Sequence, residues 1–163
     1  MNILSINDKA PDFLLPDDSG NTVSMHNFRH KNIILYFYPK DDTPGCTREA
    51  KDFRNAIDEF TKLNTVILGV SRDSIDKHEE FKEKYELPFS LLSDEDTVTI
   101  QEYGVWIEKN MYGKKYMGIE RSTFLISKDR IIKQIWRKVK VAGHVEKVLE
   151  EVKSLEAAKK AAV

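Results

Sequence analysis

Ile33-Ile34-Leu35-Tyr36-Phe37-Tyr38-Pro39-Lys40-Asp41-Asp42-Thr43-Pro44-Gly45-Cys46-Thr47-Arg48-Glu49 is the stretch on which the fold turns. Its first six residues are apolar without alternation, the pattern of a central strand covered on both faces. A proline-rich turn follows, and then a helix start. Thr43 suits the N-cap, and Pro44 suits the first helical position, where a missing N–H costs nothing. Cys46, the one cysteine of the chain, then falls in the first turn. Downstream, Phe53, Ile57, Phe60 and Leu63 recur at helical spacing, so Ala50 to Leu63 reads as one amphipathic helix.

Working outward, Ala10 to Pro16 is an extended piece between prolines, and Asp17 to Asn21 is a turn cluster. Thr22 to Met25 completes an N-terminal hairpin. Thr65 to Ser71 is a second buried strand. A charged helix starts at Ser74, runs through Tyr85 and stops at Leu87-Pro88. Phe89 to Leu92 is a short strand, and a short helix ends at Tyr103-Gly104. Lys109 to Glu120, with its glycines and mixed polarity, reads as a loop. Ser122 to Ser127 and Ile131 to Arg137 are strands joined through Lys128-Asp129-Arg130. From Gly143 a last helix places Val145, Val148, Leu149, Val152 and Leu155 on one face; residues 157–163 lack that stripe and are expected to fray.

This order predicts an α/β, thioredoxin-like fold, with a central mixed β-sheet flanked by helices and an N-terminal hairpin extension. Strand-helix-strand near the middle implies parallel pairing with a right-handed crossover. Residues 1–163 are expected to form one domain, since no repeat, linker or low-complexity stretch interrupts them.

A chain of 163 residues buries a core without metals or disulfides. Charged residues make up 33%, but the formal net charge is −1, which predicts neither nucleic acid nor an anionic membrane as partner. No run is long enough to cross a bilayer. The first eight residues lack the basic start and apolar centre of a signal peptide. With one cysteine, these features point to a reducing, cytoplasmic setting. His26 and His30 have i, i+4 spacing but no third ligand, so no metal is expected. His78 and His144 are expected in solvent, and Trp106 at the border of a pocket.

Cys46 carries the chemistry. At a helix N-terminus, free backbone N–H groups and the positive end of the helix dipole stabilise a thiolate. A packed core thiol is the competing reading, because free Cys is often buried. Disulfide-exchanging thioredoxin-like proteins carry Cys-x-x-Cys at this place. Here the motif is Thr43-x-x-Cys46, so a hydroxyl stands where a first sulfur would be. It can hold a small polar substrate against the sulfur, whereas it cannot form a disulfide. A thiol-exchange or non-catalytic thioredoxin-like module is the alternative.

Pro39-x-x-x-Thr43-x-x-Cys46-x-x-Glu49 resembles the active-site motif of peroxiredoxins. Phe37 to Thr47 is similar to the bacterioferritin-comigratory-protein (PrxQ) branch. Ala10-Pro11-Asp12-Phe13, Gly69 to Ser74, Leu91 to Asp94 and Glu120 to Ile126 extend the likeness over roughly residues 8–150. The resemblance implies a thiol-dependent peroxidase that needs no cofactor. Cys46 would be the peroxidatic residue, Thr43 would hold the peroxide, and Arg121 would stabilise thiolate and developing oxyanion. Pro39 would shape the pocket, and Glu49 would aim Arg121. Many members carry a resolving cysteine five residues on or in the next helix, where this chain has Lys51 and, near Phe81, Lys82. The chain therefore resembles a one-cysteine form, regenerated by an external thiol such as thioredoxin, glutaredoxin or a low-molecular-weight thiol. A monomer or weak homodimer is expected.

Overall fold

The computed structural model describes residues 3–161. β1 (Leu15–Pro16) and β2 (Thr22–Val23) make the short antiparallel hairpin expected near the N-terminus. A 3-10 turn, Met25–Phe28, leads into β3 (Asn32–Phe37), in which every residue is buried. α1 (Pro44–Asn55) and α2 (Ile57–Lys62) follow, then β4 (Thr65–Ser71), α3 (Ile75–Tyr85), β5 (Ser90–Ser93) and α4 (Val98–Glu102). β6 (Trp106–Met111) and β7 (Lys114–Ile119) precede β8 (Ser122–Ile126), β9 (Ile132–Trp136) and α5 (His144–Ala161).

Five strands form the main sheet in the order β5-β4-β3-β8-β9, with β3 at its centre. β3 runs parallel to β4 and antiparallel to β8, so the sheet is mixed, as the sequence predicts. The apolar run of β3 serves both faces. Ile33, Leu35 and Phe37 join one core with Val70, Tyr103 and Phe124. Ile34 and Tyr36 join the other with Phe53, Phe60, Leu91 and Val148, and Cys46 lies in this second core. Each such side chain, fully buried, contributes about 1.5–3 kcal/mol of transfer free energy. This is the thioredoxin-like arrangement.

Four local expectations are corrected. The helix starts at Pro44 behind Thr43, as expected, but the run expected to continue unbroken to Leu63 breaks at Ala56, whose N–H turns back to the Phe53 carbonyl at 3.1 Å. The tight turn lets both Phe53 and Phe60 reach full burial. The loop expected from Lys109 to Glu120 is instead the β6–β7 hairpin. Tyr112 and Gly113 both adopt positive φ, 53° and 79°, the two-residue turn that matches strand twist. Most residues of β7 are exposed, so no apolar alternation marks it in the sequence.

His78 and His144, expected in solvent, are buried, at 0% and 4% exposure. Both have hydrogen-bond partners inside the fold: His78 lies against Asp41 and His144 Nε2 lies 2.8 Å from Thr123 Oγ1. The last helix continues through Ala161, past the point where its apolar stripe ends. Asn32 at the start of β3 explains why: its amide donates to Glu156 Oε1 at 2.7 Å and accepts from Lys159 Nζ at 3.0 Å. Ala162 and Val163 of the expected frayed tail lie outside the described residues, as do Met1 and Asn2. Among the described residues, no helix is long and apolar enough to cross a membrane.

Candidate active site

The loop after β3 is fixed before the helix begins. Tyr38 N–H donates to the Val70 carbonyl at 3.1 Å, carrying the ladder one residue past the strand. Asp41 is buried, and its N–H donates to Asp73 Oδ2 at 2.8 Å. Its carboxylate accepts the Tyr38 hydroxyl at 2.5 Å and lies 2.5 Å from His78 Nδ1. His78 Nε2 lies 3.0 Å from the Leu92 carbonyl oxygen, which can only accept, so Nε2 carries a proton. Asp42 sits at φ 57° and is held by Lys84 Nζ at 2.8 Å and by the Tyr85 hydroxyl at 2.7 Å. α3 thus grips the loop by a buried contact and by an exposed one.

Thr43 occupies the N-cap of α1 with extended φ and ψ, and Pro44 follows in the first turn. The Thr43 hydroxyl does not cap the helix. It donates backward to the Lys40 carbonyl at 2.9 Å. Cys46 lies in the first turn and is 2% exposed. Arg121 arrives from far along the sequence, between β7 and β8. Its Nη2 lies 3.3 Å from Cys46 Sγ, and its Nη1 donates to Glu49 Oε1 at 2.8 Å.

The backbone around Arg121 is tied down on both sides. Glu120 N–H donates to the Val105 carbonyl at 2.8 Å, and the Arg121 carbonyl accepts from Val139 N–H at 2.9 Å. The Glu120 carboxylate accepts from Arg137 Nε at 2.8 Å and from Ser122 Oγ at 3.0 Å. Gly45 completes the fit: a Cβ there would stand 3.1 Å from Arg121 Nη2.

The electrostatics follow from burial. Glu49 is fully buried, which pushes its carboxyl up to about 7 although Arg121 pulls it down; Asp52 adds to the rise. Its second oxygen, Oε2, has no hydrogen-bond partner among the described residues. Burial opposes the charge on Arg121, but the neighbouring Glu49 and Cys46 outweigh it and raise its pKa. Lys109, on β6, is lowered first by burial and then by Arg121, while Cys46 and Glu120 act the other way. Its side chain lies across Gly118, where a Cβ would meet Lys109 Cδ at 3.1 Å.

Of the residues singled out in the sequence, Cys46, Glu49 and Arg121 meet in direct contact. Thr43 stands at the N-cap immediately before them, and Pro39 is half-buried at the start of the loop. Trp106 is half-buried at the start of β6, with the Arg72 guanidinium 4.9 Å from its ring centroid. Sequence reasoning passed over Asp41, His78 and Lys109. Asp41 lies inside the quoted motif, and His78 sits at a core-facing helical spacing before Phe81; that spacing was the available signal.

Fold and site together define a thioredoxin-like protein with a single buried thiol beside a guanidinium. The family model described as "AhpC/TSA family" matches residues 6–135, and the chain belongs to that family, in its Bcp/PrxQ peroxiredoxin branch. A peroxiredoxin Bcp of Bacillus subtilis is 52% identical over 153 residues, covering 93% of this chain and 97% of that protein. A putative peroxiredoxin bcp of Coxiella burnetii is 51% identical over 146 residues, covering 90% and 97%. Among solved structures, the bacterioferritin comigratory protein of Xanthomonas campestris, studied for alkyl peroxide reduction, superposes with a TM-score of 0.85. It shares 44% identity over 88% of this chain and 92% of its own. A cysteine-to-serine mutant of Xylella fastidiosa PrxQ gives a TM-score of 0.89 at 37% identity, covering 94% and 98%. The chain is a thiol-dependent peroxidase.

Proposed function

We propose that Cys46 is the peroxidatic residue and that it reduces hydrogen peroxide and organic hydroperoxides to water and alcohols. The observation that carries this reading is the 3.3 Å contact between Arg121 Nη2 and Cys46 Sγ at the first turn of α1. The thiolate attacks the terminal peroxide oxygen. An S–O bond forms, the O–O bond breaks, and the other oxygen leaves as hydroxide or alkoxide and takes up a proton, giving a sulfenic acid on Cys46. Arg121 faces the negative charge as it passes from sulfur to oxygen, and a donor held in place costs no reorganisation at that moment.

The Thr43 hydrogen is committed to the Lys40 carbonyl, so its oxygen presents lone pairs to the peroxide O–H. Pro39 shapes the pocket beside the sulfur, and Glu49 aims Arg121. The alkyl peroxide activity of the Xanthomonas campestris protein supports organic hydroperoxides as substrates.

The sulfenic acid is reduced by an external thiol: thioredoxin, glutaredoxin or a low-molecular-weight thiol. The support is the cysteine count of one, with Lys51 exposed and Lys82 engaged by Asp18 at 3.0 Å. The enzyme acts as a monomer or weak homodimer in the cytoplasm, where a lone thiol stays reduced. Stopped-flow mixing with peroxide, following Trp106 and Trp136 fluorescence and thiol loss, tests the reading. Cys46 is expected to react orders of magnitude faster than free cysteine, and Arg121→Ala to slow it by about 10²–10³-fold. A Cys46 no faster than free cysteine would overturn it.

A further inference from the structure

Arg121 is one cation placed between two acids. Nη2 faces Cys46 Sγ at 3.3 Å and Nη1 binds Glu49 Oε1 at 2.8 Å. Both acids are almost wholly removed from water, Cys46 at 2% exposure and Glu49 at 0%. Ionising both would leave two buried negative charges to share one guanidinium. The second Glu49 oxygen has no partner among the described residues, and an unpaired charged oxygen in the interior costs far more than a neutral hydroxyl.

The surroundings offer little to offset a second charge. Tyr36 from β3 is itself held neutral, first by burial and then by Glu49 and Cys46. His144 from α5 is kept uncharged by burial, and Lys147 and Arg121 push the same way. Asp52, on α1 itself, adds repulsion. Lys109 on β6 is half-buried, and burial and then Arg121 weaken its hold on its proton while Cys46 and Glu120 act the other way.

We infer that Glu49 is the proton partner of Cys46: it carries the proton while the thiolate is present and gives it up when the sulfur is oxidised. The inference rests on Cys46 being the peroxidatic residue. The step balances. Thiolate, carboxylic acid and ROOH give sulfenic acid, carboxylate and ROH, with one negative charge on each side. The S–O bond replaces the O–O bond, and the Glu49 proton neutralises the leaving alkoxide or hydroxide. Arg121 then remains paired with one anion throughout, first sulfur and afterwards carboxylate. Reduction by two thiols expels the oxygen as water, forms their disulfide and returns Cys46 as a thiol, whose proton passes back to Glu49. Glu49 thereby has a role beyond aiming the guanidinium.

The test counts protons. Reduced protein at pH 7 in weak buffer with a pH indicator is mixed with one equivalent of hydrogen peroxide, while thiol loss is followed in parallel. Wild type is expected to take up well under one proton per Cys46 oxidised, because Glu49, at about 7, supplies its proton wherever it holds one at that pH. Glu49→Gln, which keeps an oxygen acceptor for Arg121, is expected to take up close to one. Infrared difference spectra, oxidised minus reduced, are expected to show loss of a carboxylic-acid band in wild type and no such loss in the variant. Equal proton uptake by the two proteins, or a carboxylic-acid band that does not change on oxidation, overturns the inference and leaves the peroxidase reading standing. Cys46 remaining unoxidised overturns both.

Discussion

Gly45 shows how narrow the tolerances are around the sulfur. Its φ is ordinary, so the residue is small for space and not for backbone freedom. A methyl group placed there would sit 3.1 Å from Arg121 Nη2, closer than such atoms rest comfortably. The guanidinium would have to yield, and it is the same nitrogen that faces Cys46. Gly45→Ala is therefore expected to leave the fold intact and to slow the peroxide reaction at Cys46 by about 10-fold or more, because small misplacements of an aligned group are costly. Unchanged single-turnover rates would show that Arg121 can shift without loss. The motif Thr43-x-x-Cys46-x-x-Glu49 was legible in the sequence, as was Arg121 ahead of Ser122-Thr123-Phe124. The full burial of Glu49 was not. A carboxylate one turn after a helix start is ordinarily solvated, and only a guanidinium 72 positions away makes its burial tolerable.

At the level of elements, α3 holds the active-site loop by two different means, and they should differ in strength. His78 and Asp41 are buried, at 0% and 8% exposure, and the ring is bonded on both sides. Lys84 and Asp42 meet in solvent. Removing His78 takes the ring from Asp41 Oδ2 and from the Leu92 carbonyl, leaving the buried Asp41 carboxylate with the Tyr38 hydroxyl on its other oxygen. His78→Ala is accordingly expected to lower unfolding free energy by about 3–5 kcal/mol in urea titrations. Lys84→Ala is expected to move the urea midpoint far less, because water and salt screen an exposed ion pair. A similar loss for both would mean that the buried contact adds nothing beyond a surface one.

Elements with a continuous apolar run, β3 and β4, or a helical apolar stripe, α5, were readable from the chain. The β6–β7 hairpin was not, because a two-stranded ribbon exposed on most of one strand has no buried face to impose a period. The two histidines were misread for the related reason that their partners, Asp41 and Thr123, are distant in sequence.

For the whole molecule, two buried groups pull stability in opposite directions with pH. Glu49 holds its proton more tightly in the folded state, at about 7 against an ordinary 4.5. Its contribution is full below about pH 4.5 and is lost as pH rises toward 7, a difference of about 3 kcal/mol. His144 is lowered from 6.5 to about 4 by burial, then by Lys147 and Arg121. Its contribution is full above 6.5 and is lost as pH falls toward 4. Urea midpoints at several pH values check both. Glu49→Gln is expected to gain on wild type as pH rises from 4.5 to 7, and His144→Gln to gain on it as pH falls from 6.5 to 4. Parallel curves would place these groups outside the linkage.

The contact between Arg121 and Cys46 spans 75 positions of chain, and the strand that follows Arg121 must slot in beside β3 before the contact exists. Closing so long a loop is among the slower events of folding. Until β8 pairs with β3, the sulfur has no guanidinium beside it. With Cys46 as the peroxidatic residue, its activation is then tied to completion of the sheet, and a chain that has not yet paired β8 with β3 lacks it.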